Sequence, residues 1–158
     1  RAIWDQLKPA LPELVILDGD TVRAVFGGDL GYREQDRVVQ IRRMQNLAKM
    51  LSGQGLTVLV AALYANPELL CWNRQNIDDY FEVYLEASLD TLKSRDRKGL
   101  YPGAGPEAVP NVVGVDIKWH PPEAPDIKFN TDSPEAPSVL AQRVISAIPR
   151  LNEARKVP

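Results

Sequence analysis

The chain has 158 residues, 44% of them apolar and 25% charged, enough to bury the core of one globular domain. With 21 acidic against 19 basic residues the net charge is −2, which excludes a general nucleic-acid binder, because phosphate contacts need an excess of Lys and Arg on one face. The single Cys71 excludes an internal disulfide framework and a cysteine zinc site and suits a reducing compartment; no apolar run reaches the ~18 residues of a membrane span and no charged-then-apolar leader precedes the first turn, so a cytoplasmic enzyme or binding protein with no membrane partner is expected.

The first segment, "RAIWDQL" (1–7), sets Ile3, Trp4 and Leu7 at helical spacing. It is predicted to stop near Lys8 and Pro9, since the residue before a proline is pushed out of the α region. "LVILD" (14–18), "LTVLVAAL" (56–63) and "YFEVYLEA" (80–87) are short apolar runs of Val, Leu and aromatic residues, the pattern of strands buried on both faces. Between the first two, "EQDRVVQIRRMQNLAKMLSGQG" places Val38, Ile41, Met44, Ala48 and Leu51 on one stripe and ends in glycines, predicting an amphipathic helix. "PELLCWNRQNIDD" predicts another helix opening at Pro67, with Cys71 and Trp72 as packing residues. Residues 95–125 are dense in Gly, Pro and charge and too long for an ordinary connection; their aromatic tips, Tyr101 and Trp119, favour a lid over a slack linker. "DIKFN" (126–130) is a weaker strand, and "PSVLAQRVISAIPRLNEARK" a closing helix bent or ended near Pro149. Strands alternate with helices, which predicts an α/β fold with a mostly parallel sheet in a single domain over residues 1–158.

In open sheets of this kind, ligands sit beyond the carboxyl ends of the strands. "LDGDTVR" puts Asp18 and Asp20 on that rim and Arg23 about one turn later. An aspartate there can accept a hydroxyl proton or orient a magnesium-bound water, and Arg23 can neutralise an anionic substrate. The same residues also fit a helix starting at Thr21 and capped by Asp20, with Arg23 in a surface ion pair, and spacing alone does not choose between the two. In "REQDRVVQIRR", Arg37 lies about a turn ahead of Gln40, with Arg42 and Arg43 beyond. That helix either aims donors at a phosphate or sulfate, or presents an exposed face on which Glu34 and Asp36 balance the arginines. The preceding "GGDLG" reads as a plain turn.

Taken together, "LDGDTVR", "DLGYREQDRVVQIRRMQNLAKMLSGQGLTVLVAAL", "FEVYLEASLDTLKSRDRKGLY" and "VVGVDIKWHPPEAPDIKFNTD" resemble, in order and spacing, the adenylylsulfate kinase family, whose pattern runs LDGD-x-x-R, DLGF-x-x-x-DR-x-x-NIRR, RD-x-KGLY and a TGID-x-x-YE-x-P lid. The resemblance implies a three-layer P-loop NTPase-type fold with a lid over about residues 95–125. It also implies a kinase that uses ATP and Mg2+ to phosphorylate the 3′-hydroxyl of adenylylsulfate, a small nucleotide-type acceptor, with a homodimer possible. By position, Asp18 would be the catalytic acid nearest the reacting hydroxyl and the metal, with Asp20 beside it. Arg23 and Arg37 would hold the anionic end of the acceptor, and Tyr32 its base. Arg95, Asp96 and Lys98 would contact the nucleotide and its phosphates. Such a set suits phosphoryl transfer, which is mostly positioning and charge stabilisation.

Three departures fall on the acceptor side. The family asparagine of NIRR is Gln40, its FTGID is "VVGVD" (112–116) with Val113 as the second residue, and its ISPYR after the middle strand is "LYANPE". Trp119 stands where the family has its lid tyrosine. Loss of one stacking ring removes roughly 1–3 kcal/mol per base, enough to change the preferred nucleotide. The chain accordingly also resembles the adenylylsulfate-kinase-like branch that includes cytidine diphosphoramidate kinase. The family further has a first strand and a G-x-x-x-x-G-K-S/T loop ahead of its first helix, whereas this sequence opens inside that helix. A truncated record is therefore expected, with Leu14 to Leu17 left on an unpaired edge. The competing reading is a nucleotide-binding or regulatory protein without catalysis.

Overall fold

The computed structural model describes residues 1–96, 99–101, 109–133 and 135–155. Helix α1 (Ala2–Leu7) leads into strand β1 (Leu14–Asp18), which turns directly into α2 (Gly19–Val25). The long α3 (Glu34–Ser52), β2 (Thr57–Ala61) and α4 (Pro67–Asn76) follow. Then come β3 (Val83–Glu86), α5 (Leu89–Ser94), β4 (Ile127–Asn130), α6 (Pro137–Ala147) and α7 (Pro149–Ala154).

Both ladders are parallel, as the alternation of strands and helices predicts. β1 pairs with β2 from Leu14 opposite Thr57 to Asp18 opposite Ala61, and β3 pairs with β4 from Val83 opposite Ile127 to Glu86 opposite Asn130. Parallel neighbours need long crossovers. Helices α2 and α3 lie in the first, and α5 in the second. The two ladders are not hydrogen-bonded to each other.

That division corrects one expectation. The strands are not buried on both faces: Val60 of β2 is 47% exposed and Leu85 of β3 59%, because each ladder has only two strands and helices cover only part of them. Leu14 to Leu17 do keep an edge without a strand partner, since β1 pairs with β2 alone; Leu14 is nonetheless completely buried.

Local chemistry explains the helix boundaries. Asn66 caps α4, its side-chain oxygen accepting the Leu69 N–H at 2.9 Å, with Pro67 at the first helical position. Ser88 caps α5 through the Thr91 N–H at 3.2 Å. The closing helix breaks where expected: Ile148, ahead of Pro149, is extended at φ −108° and ψ 108°, and a new helix starts at the proline.

Two apolar clusters hold the molecule. Leu7, Leu11, Leu14, Ile145 and Leu151 form one, with Trp4 packed against it. Tyr64, Leu69, Val113 and Ile117 form the other, with Val38, Ile41 and Trp119 around it. On α3 the buried set is Gln40, Met44, Gln45 and Ala48; the predicted stripe is right at Met44 and Ala48 and omits two buried amides. Cys71, expected in the packing, is exposed. No helix among the described residues is long and apolar enough to cross a membrane.

Candidate active site

β1 delivers Asp18 to the carboxyl end of the first ladder, opposite Ala61. The residue is still extended, at φ −91° and ψ 131°, and the helix begins at Gly19. One carboxylate oxygen, Oδ1, accepts the N–H groups of Asp20 at 3.1 Å and Thr21 at 3.2 Å. The cap of α2 is therefore Asp18 and not Asp20, which lies exposed in the first turn. Two-residue spacing between the acids makes the assignment ambiguous in sequence; only the strand's last residue has the extended backbone a cap needs.

One turn along α2, the Arg23 guanidinium donates to the carbonyls of Leu30 at 3.0 Å and Gly31 at 2.7 Å. It thereby ties down the glycine-rich turn, in which Gly27 and Gly28 have positive φ. A Cβ at Gly31 would meet the Asp36 carboxylate at 2.8 Å, so a larger residue there would require that side chain to move. The turn presents Tyr32, 55% exposed, with the Arg23 and Arg37 guanidiniums 4.8 and 5.7 Å from its ring centre.

Arg37 is fixed twice. Its Nε donates to the Tyr32 carbonyl at 3.0 Å and its Nη2 to the Asn111 carbonyl at 2.8 Å. Burial, with the positive charge of Arg23 second, pushes its pKa down from the usual arginine value, yet a guanidinium stays charged in water. Gln40 is 4% exposed; its amide donates to the Gly19 carbonyl at 3.1 Å, at the strand-to-helix corner, and its own oxygen is buried without a hydrogen bond. Arg42 and Arg43 are engaged elsewhere, in ion pairs with Glu68 and Asp29. Of the partners expected for them, Glu34 accepts the Tyr64 hydroxyl at 2.9 Å instead.

From the other side come residues 111–119. Val113 bridges to Ile117 and is 6% exposed inside the second apolar cluster. The Trp119 indole N–H donates to the Tyr84 hydroxyl at 3.4 Å, the rings 6.1 Å apart. Asp116 accepts the backbone N–H groups of Asn111 and Val112. Those bonds, Asn111 first, hold its carboxyl below the usual carboxylate range.

Arg95 and Asp96 lie apart from this group, beyond the second ladder. Arg95 donates to the Thr131 carbonyl at 2.7 Å, and Asp96 accepts the Tyr101 N–H at 2.7 Å. Lys98 lies outside the described residues. A groove of about 490 Å³ includes Leu85, Leu92, Arg95, Thr131 and Leu140. The structure thus brings Asp18, Arg23, Tyr32, Arg37 and Gln40 together around one corner and Arg95 with Asp96 around another. Sequence reasoning missed Asn111 and Asp116, whose role comes from a left-handed Asn111, φ +66°, that no spacing rule signals. No group of three or more His, Cys, Asp or Glu side chains among the described residues could hold a metal unaided.

The family model for adenylylsulphate kinase matches residues 1–130. The chain belongs to the adenylylsulphate kinase family. It is 36% identical over 130 residues to the cytidine diphosphoramidate kinase of Campylobacter jejuni, covering 82% of this chain and 75% of that one. It is 40% identical over 120 residues to the adenylyl-sulfate kinase of Pseudomonas entomophila, covering 75% of this chain and 58% of that one. Among solved structures, the Mycobacterium tuberculosis APS kinase in complex with AMPPNP and APS aligns with a TM-score of 0.77 at 29% identity, over 92% of this chain and 88% of that one. As a member of the adenylylsulphate kinase family, the chain has a P-loop-type α/β fold and falls in a class of ATP-dependent phosphotransferases.

Proposed function

We propose that this chain phosphorylates a hydroxyl of a nucleotide-type acceptor in the manner of an adenylylsulfate kinase, with ATP as donor and Mg2+ as the assisting ion. Asp18 stands at the reacting hydroxyl: one oxygen is spent on the α2 cap, and the carboxylate remains on the rim of the first ladder. Asp20 adds negative charge beside it. One or two carboxylates suit Mg2+ that is otherwise held by nucleotide phosphates and water, and the ion would neutralise charge on the transferred phosphoryl group.

The observation that carries the reading is Tyr32, an exposed ring with two arginines against it, one of them a helix turn from the strand-end carboxylate. A flat apolar face beside two cations fits a base attached to an anionic group. Arg23 and Arg37 take the anionic end of the acceptor. Gln40, assigned to the acceptor by resemblance, acts instead on the Gly19 carbonyl that fixes the corner. Arg95, Asp96 and Lys98 serve the ATP side, residues 95–125 form the lid, and residues 1–158 belong to one kinase domain.

A second acceptor class, a CDP derivative, is favoured by Val112, which stands where the family's FTGID has its phenylalanine. Buried at 7% exposure, it offers no second ring to sandwich a purine, and Val113 beside it is packed within an apolar cluster, so a smaller pyrimidine on Tyr32 loses less. Trp119 supplies an aromatic edge from the same segment, although its N–H is committed to Tyr84.

The deciding experiment follows radiolabelled γ-phosphate from ATP, with Mg2+, onto adenylylsulfate and onto CDP-phosphoramidate. Transfer to adenylylsulfate is expected under the first reading. Transfer only to the CDP compound replaces it with the second, and transfer to neither, with retained nucleotide binding, leaves a binding protein.

A further inference from the structure

Residues 111–117 make a tight turn whose bonds are shared unequally. The Val112 carbonyl accepts from the N–H groups of Val115, Asp116 and Ile117, each at 3.1 Å, and Gly114 N–H donates to the Ile117 carbonyl at 2.8 Å. The turn is anchored below by Val113 and Ile117 in the apolar cluster with Tyr64 and Leu69. What sets its leading edge is Asp116. Its two carboxylate oxygens separately accept the N–H groups of Asn111 and Val112.

One peptide group in this arrangement is held from both sides. The unit joining Asn111 to Val112 donates its N–H to Asp116 and offers its carbonyl to Arg37 Nη2 at 2.8 Å. A negative charge therefore sits on the positive end of that peptide dipole, and a positive charge on its negative end. Each contact strengthens the other, because both favour the same orientation of one rigid plane. Without the carboxylate, Asn111 has less to keep it at φ +66°, a conformation that is uncommon outside glycine. Rotation of the plane would withdraw the carbonyl from Arg37.

Resting on the proposed function, we infer that Asp116 is a positioning residue for the acceptor: it aims Arg37 through the Asn111–Val112 peptide without itself touching the substrate. Arg37 has one further tether, Nε to the Tyr32 carbonyl, so loss of the Asn111 contact leaves the guanidinium on a single bond and loosens the Tyr32 face as well. Asp116 is exposed; it acts on Arg37 through one peptide and, more weakly, by the attraction of its charge.

The test is Asp116→Asn, alone and combined with Arg37→Gln. The single variant is expected to raise KM for the acceptor about tenfold, the scale of one charge-assisted hydrogen bond, while KM for ATP stays at the wild-type value. In the Arg37→Gln background Asp116→Asn is expected to add nothing, as required when one residue acts through the other. Multiplying effects, or an unchanged acceptor KM, would overturn the inference. A second readout needs no turnover: in 15N-labelled protein at mildly acidic pH, the Arg37 Nε–H resonance should shift and broaden in Asp116→Asn. If the wild-type chain phosphorylates no acceptor, the functional reading fails, and this resonance alone decides the inference; an unmoved resonance defeats it.

Discussion

Replacing Asp18 by asparagine separates its two roles, because an amide oxygen can still accept the Asp20 and Thr21 N–H groups while the negative charge is gone. Asp18→Asn is therefore expected to keep wild-type stability and to lower kcat by about 10²–10⁴, the range for removing a positioned acid–base group. Asp18→Ala should show the same kinetic loss and, in addition, lose about 1 kcal/mol of stability with the cap. Steady-state kinetics and urea unfolding on both variants check this, and full activity in Asp18→Asn would confine the residue to capping. At this scale the sequence placed Asp18 at the strand's end and Arg23 one turn along the helix that follows, as the structure has them, but set the cap on Asp20 instead of Asp18. It was read poorly at Gln40, where a polar residue within an arginine-rich run gives no sign that it will be 4% exposed and bonded to backbone. Residue type reports which bonds an amide can make; burial decides which it does make.

Helix α4 and the start of both strands of the second ladder are joined by polar groups instead of apolar ones. Gln45 donates to Asn73, Asn73 donates to the Tyr80 hydroxyl, and that hydroxyl donates to Glu82 Oε2 at 3.0 Å. Arg74 then pairs with Asp126 at 2.9 Å, and Asp126 accepts the Glu82 N–H at 2.7 Å. Burial pushes the Tyr80 phenol up to about 12. An unfolded tyrosine ionises near pH ~10, so the folded state resists ionisation more than the unfolded one. The contribution of Tyr80 to stability is accordingly full below about pH 10 and is lost as pH rises toward about pH 12. Urea midpoints measured across this window should therefore fall more steeply for wild type than for Tyr80→Phe; parallel curves would show that the phenol is not buried in solution. Little of this network is visible in the sequence. Element boundaries set by proline or by long apolar periodicity, such as β1, α3 and the break at Pro149, are legible. The short helix α5 is not, because its six residues carry no apolar stripe of their own and its cap, Ser88, also reads as a loop residue, while α2 was legible only as one of two readings and with its cap misplaced.

At the scale of the molecule, the parallel α/β arrangement was legible from the alternation of strand and helix, whereas the division into two ladders depends on long-range pairing that local pattern does not encode. The same limitation hid how the chain closes on itself. Leu7, Leu11 and Leu14 near its start pack against Ile145 and Leu151 near its end, so α6 and α7, which lie beyond the residues 1–130 matched by the family, complete the core under β1. Leu14 and Ile145 are both fully buried. Truncating either to alanine is expected to cost about 2–5 kcal/mol, transfer and cavity together, a large share of the 5–15 kcal/mol that holds a typical domain together. Because both sit in one cluster, the double variant should lose less than the sum of the two singles, the second deletion enlarging a space already opened by the first. Urea unfolding of the three variants measures this directly. Additive losses would mean that the two ends of the chain pack independently, and that the strand bearing Asp18 takes no support from the closing helices.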